Sequence, residues 1–110
     1  MSHQQQWQQY LFAGLHNLND GFDAASICYF SEQDFAVVLQ RAEKTGVAVF
    51  GIEPWLDGDY YDTDVHEHYD LAPDDPAWYW QAFERFRQQE PRLQYAASYG
   101  FPKGVPPLHE

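Results

Sequence analysis

At the start of the chain Trp7, Leu11, Gly14, Leu15 and Leu18 recur at steps of three and four residues, which places them on one side of a 3.6-residue spiral. The spacing predicts a first helix running to Leu18, ended by the turn formers Asn19-Asp20-Gly21. Residues 24–30, with Ile27, Cys28, Tyr29 and Phe30, form a short apolar run of strand length. Ser31 then offers an N-cap, and Glu32 and Asp34 suit the positive start of a second helix. Phe35, Val38, Leu39 and Ala42 fall within one arc of that helix, Gln40, Arg41 and Lys44 face away, and Gly46 supplies the end.

Residues 47–52 are apolar throughout and β-branched at Val47, Val49 and Ile52, the pattern of a central strand covered on both faces. The pattern then breaks. Pro54, Gly58, Pro73 and Pro76 punctuate residues 54–75, which read as a long loop. Asp75-Pro76 opens a third helix, with Tyr79, Phe83 and Phe86 as its apolar stripe and Pro91 beyond its end. Trp78, Tyr79 and Trp80 are consecutive and span about 200° of a helix surface, so with Tyr79 inward either one indole is left near the surface or both cover the edges of a small sheet. Leu93, Tyr95, Ala97, Tyr99 and Phe101 alternate with smaller or polar residues, the period of a strand with one face on a core. Residues 102–110, with Pro106-Pro107, read as an extended tail.

Alternating helices and strands predict an α/β fold: one two-layer domain over residues 1–110, with helices packed on a small sheet of about three or more strands. If the first two strands pair in parallel, the helix between them makes a right-handed crossover. A chain of 110 residues builds one modest core, with no large enclosed chamber, and no cofactor is expected.

Charge narrows the choice of partner. Against 17 Asp and Glu stand 6 Lys and Arg, a formal net charge of -11. That sign is wrong for gripping phosphate backbones or anionic lipid, so no direct nucleic-acid or membrane partner is expected. One cysteine excludes an internal disulfide framework, and the start lacks the pattern of an export signal, so the expected location is cytoplasmic.

The acids are unevenly placed. Ten lie in the forty positions between Lys44 and Arg85, a stretch with no Lys or Arg of its own. Crowded like charges repel and cost stability, so their concentration suggests a role beyond folding. Trp55, Tyr60, Tyr61 and Tyr69 are interleaved with them, and rings that anchor beside charges that steer are the composition of protein-binding surfaces. Trp55, Asp57, Asp59, Tyr60, Tyr61, Asp62 and Asp64 are therefore the candidate contact residues for a basic protein partner. A solvated acidic loop whose rings fold back on the core would have the same composition.

Catalytic signatures are sparse. Asp64, His66, Glu67 and His68 have metal-ligand chemistry, and on an extended segment the two histidines would lie on one side, about 7 Å apart. A third ligand from Glu53, Asp64 or Asp70 would complete a small metal-dependent enzyme or ligand-binding domain, the alternative function. Cys28 lies in an apolar run, where a thiol is inert packing more often than a nucleophile. No phosphate-binding glycine loop is present.

The stretch Glu53-Pro-Trp-Leu-Asp-Gly-Asp-Tyr-Tyr-Asp62, with residues 64–75, gives the chain a profile that resembles the small acidic immunity proteins with which bacteria neutralise toxins. The likeness lies in composition and organisation. It implies a non-enzymatic inhibitor that binds one cognate toxin domain, often a basic nuclease, with carboxylates imitating nucleic-acid phosphates and no metal or cofactor.

Overall fold

A computed structural model describes residues 1–107, so the last three positions of the expected tail lie outside the described residues. The fold is α/β as expected. Helices α1 (His3–Phe12), α2 (Glu32–Thr45) and α3 (Pro76–Gln89) accompany a sheet of β1 (Ala48–Leu56), β2 (Asp59–Tyr60), β3 (Asp64–Val65) and β4 (Gln94–Gly100). β1 is central, with β2 and β3 along one edge and β4 along the other, all antiparallel.

The caps that define α2 and α3 form as the sequence demands. Ser31 Oγ accepts from the Asp34 amide at 3.2 Å, and Gly46 closes α2 at φ 76, in the left-handed region open to glycine. Asp75 caps α3 through the Ala77 amide at 2.9 Å, with Pro76 in the first helical turn. Their inner faces, Phe35, Val38, Leu39 and Ala42 on α2 and Trp78, Tyr79, Ala82, Phe83 and Phe86 on α3, are fully buried against Val47, Val49, Ile52 and Tyr95. Of the two indoles flanking Tyr79, Trp78 is sealed in, donating to Val49 O at 3.1 Å, while Trp80 is half-buried and donates to Glu43 at 2.7 Å.

The first helix departs from expectation. It starts earlier, in a capping box between Ser2 and Gln5, and stops at Phe12. Gly14 takes φ 76, and the Arg41 guanidinium donates to Leu11 O and Ala13 O at 2.9 Å, binding carbonyls that a longer helix would have used itself. Arg41 therefore turns toward α1 instead of facing away, and Leu15 and Leu18 lie outside any helix.

Residues 24–30 do not form the expected strand. Only Phe30 bridges β4, exchanging both backbone bonds with Tyr95 at 2.8 and 2.7 Å. Upstream, side-chain amides take the groups a strand would pair: Asn19 Nδ2 donates to Asp23 O, Ala24 O and Ile27 O, and Asn17 Oδ1 accepts from the Tyr29 amide. Residues 24–30 do not pair with β1, whose partners are all antiparallel, so no parallel crossover arises.

β1 also differs, in coverage and in length. Its pairing with β4 shifts between Val49 and Gly51, leaving Phe50 as an extra, bulged residue that is 44% exposed. One face of β1 is covered by helices; on the other, Gly51 is buried but Glu53 and Trp55 are only half-buried, which with the exposed Phe50 corrects the expectation of full burial on both. The strand also runs on through Pro54. Tyr95, opposite Pro54, gives both its backbone groups to Phe30, and Pro54 O accepts from Tyr61 and Asp62 on the other side, so the missing proline donor breaks no bond toward β4. The expected long loop therefore shrinks, with β2, β3 and a single 3-10 turn (His66–Tyr69) formed inside it.

Candidate interaction surface

Asp57 and Gly58, at φ 52 and φ 82, are the two loop residues between the paired Leu56 and Asp59. Two consecutive positive φ angles make this a type I′ hairpin turn, which an Asp-Gly pair favours. The hairpin carries the acidic aromatic stretch outward: Asp57 and Asp59 are exposed and Tyr60 is 57% exposed.

Register decides which face each neighbour occupies. Trp55 pairs with Tyr60 and with Gln94, Gly51 with Val65 and Ser98, and Glu53 with Ala96, and these lie on the open face. Ile52, Pro54 and Asp64 lie on the helix face. Trp55 is half-buried, held by its Nε1 bond to Glu53 Oε2 at 2.9 Å and by ring contacts with Phe22, Tyr29 and Tyr60.

The other expected contacts divide. Tyr61 is half-buried and packs against the core, its hydroxyl reaching Gln89, so it does not join Tyr60 on the open face. Asp62 is half-buried, with one oxygen accepting from the Thr63 amide. Asp64 is 3% exposed and is no surface contact, which corrects its place in the expected set. Its carboxylate accepts from Arg85 at 2.7 Å, Tyr69 at 2.6 Å, His68 Nδ1 at 2.6 Å and the Val65 amide at 3.0 Å. Burial pushes this carboxyl up, but the bonds from Tyr69, Arg85 and His68 outweigh burial and hold it below the usual carboxylate range. The Arg85 guanidinium rises in turn through its bond to Asp64.

The segment with His66 and His68 is a 3-10 turn, not an extended strand, so residues two apart face different directions and the shared-side geometry does not occur. His66 Nδ1 lies 2.7 Å from Leu71 O and His68 Nδ1 donates to Asp64. Among the described residues, no group of three or more His, Cys, Asp or Glu side chains is placed to hold a metal ion. Cys28 is half-buried and its thiol is pushed up by burial, away from the activated thiolate of a nucleophile.

Of the ten acids between Lys44 and Arg85, the Lys and Arg salt bridges among the described residues reach only Asp64 and Glu84. Asp57, Asp59, Glu67, Asp70 and Asp74 stay exposed, with Glu53 and Asp62 half-buried.

Sequence reasoning missed the rest of the open face. Ile27 at 37% and Phe50 at 44% are exposed beside Val65 and Ser98, and with Glu53 and Glu67 they line a groove of about 450 Å³. The signal for Phe50 was hidden by the bulge, because an uninterrupted apolar run does not show which residue leaves the core.

No helix among the described residues is long and apolar enough to cross a membrane. Compared with family models, with curated proteins and with solved structures, the chain matches none.

Proposed function

We propose that this chain is a non-enzymatic inhibitor of the immunity type, which binds a cognate basic toxin domain through the hairpin and the adjoining open sheet face. The observation that carries the reading is the hairpin itself: Asp57 at its tip and Asp59 on the side away from Tyr60 stand exposed, without a salt bridge among the described residues, while Tyr60 is largely exposed against a Trp55 fixed from behind by Phe22 and Tyr29. Fixed rings form a contact without ordering long side chains, and the acids draw a cationic partner from a distance. Asp62 adds charge at the base of the hairpin. Asp64 supports the surface from below and does not touch the partner.

Charges on the rim govern association and desolvated rings govern residence. Affinity capture on the immobilised chain identifies the partner, and stopped-flow kinetics then separate the two roles. Replacing Asp57, Asp59 and Asp62 together by Asn slows association by about tenfold or more at low salt and flattens its salt dependence. Tyr60→Ala raises the dissociation rate by about tenfold, corresponding to the loss of a central aromatic contact. It is a cleaner probe than Trp55→Ala, which also unpacks Phe22 and Tyr29. Wild-type kinetics in both variants would remove this surface from the account.

A further inference from the structure

The groove on the open face has a composition that selects an occupant. Its floor is made of small residues from the two longest strands, Gly51 on β1 and Ala96 and Ser98 on β4. At Gly51 an added Cβ would lie 3.2 Å from Val65 Cγ1 and 3.3 Å from Asp64 O, so a larger residue there would crowd β3 as well as the groove. Phe50 and Val65 supply apolar walls, and Glu53 and Glu67 supply two carboxylates; no Lys or Arg is among the lining residues. Glu53 is held in place by Trp55, and Glu67 is exposed.

We propose that this groove receives one long cationic side chain, an arginine or lysine, of the partner protein, an inference that rests on the reading above of the chain as a binder of basic proteins. The methylene stem packs on Phe50 and Val65 while the head group meets the carboxylates and the Phe50 ring. A purely apolar occupant would desolvate the half-buried Glu53 without compensating it, whereas a cation pairs with it. A second copy of the chain would bring another net charge of -11 to the same surface, and that repulsion disfavours a homodimer across this face.

The test uses the full ¹⁵N-labelled chain and two blocked tripeptides, acetyl-Leu-Arg-Leu-amide and its citrulline counterpart, which keeps the shape and removes the charge. The arginine peptide shifts the amides of Gly51, Glu53, Val65 and Ser98 saturably in the millimolar range, and the citrulline peptide binds at least fivefold more weakly. Glu53→Gln and Glu67→Gln each weaken the arginine peptide severalfold. Ser98→Trp, which fills the groove from an exposed position, abolishes the response; Ser98→Leu serves as a second filler if the larger ring perturbs folding. An equal response to both peptides overturns the proposal, as does the absence of a saturable response at the groove. Shifts confined to Asp57, Asp59 and Asp62 also overturn it, while leaving the acidic hairpin as the site for a basic protein. Charge-independent behaviour at both places would remove the broader reading as well.

Discussion

Asp64 shows how one side chain can serve a different purpose from its neighbours. It follows Asp57, Asp59 and Asp62 in the same acidic run, yet register turns it to the helix face, where Arg85 of α3 and Tyr69 and His68 of the 3-10 turn close on it. Removing a carboxylate from such a site leaves several donors unsatisfied, so Asp64→Ala costs about 3 kcal/mol of stability in urea unfolding, moderated by the partial exposure of Arg85 and His68. The pH dependence has a definite sign. Because the folded carboxyl lies below its ordinary value of 3.8, its contribution is fully present above that value and is lost as pH falls through the lower folded value. Stability of the wild type therefore falls below about pH 4 more steeply than that of Asp64→Asn. Parallel acid limbs in the two proteins would show that Asp64 contributes no such term. The alternation of acids in this stretch carries no mark of this division, because the residue that buries a charge is chosen by Arg85, twenty-one positions away.

Among the elements, those whose determinants are local were readable. The Ser31 and Asp75 caps, Gly46 and the apolar stripes define α2 and α3, and the alternation around Tyr95 defines β4. The elements that were misread are controlled from a distance: Arg41 ends α1, and Asn17 and Asn19 draw residues 23–29 away from strand pairing. β2 and β3 have two residues each, too few for a period to show, although the Asp57-Gly58 pair was a legible hairpin signal. In the Trp55 to Asp62 stretch the exposure of Asp57, Asp59 and Tyr60 follows from its acidic and turn-forming composition; the inward turn of Tyr61 depends on contacts with the core that composition does not encode. Gly58 provides an element-scale check. At φ 82 a side chain is strained, and an added Cβ would also meet Phe22 at 3.4 Å. Gly58→Ala thus destabilises by about 1–2 kcal/mol and weakens the Trp55–Tyr60 pairing, read as faster amide exchange at Tyr60. A neutral effect on both would mean that the turn does not position the hairpin.

At the scale of the molecule the two faces of the sheet divide the work. Helices α2 and α3 cover one face with a continuous aromatic and aliphatic core. The opposite face keeps Phe50, Tyr60 and Ile27 partly in water beside Glu53 and Glu67, which form no salt bridge with Lys or Arg among the described residues, although His66 Nε2 lies 3.7 Å from Glu67. On the proposed reading this apolar and anionic surface meets a cationic protein, and a net charge of -11 on each copy opposes self-association. The most direct measurement is an amide hydrogen-exchange footprint of the chain in complex with its captured partner. Added protection is expected at residues 51–53, 55–60 and 96–98, with α1 and the outer surface of α3 unchanged. Protection confined to the helical side, with the hairpin and the open sheet face exchanging as in the free chain, would contradict it.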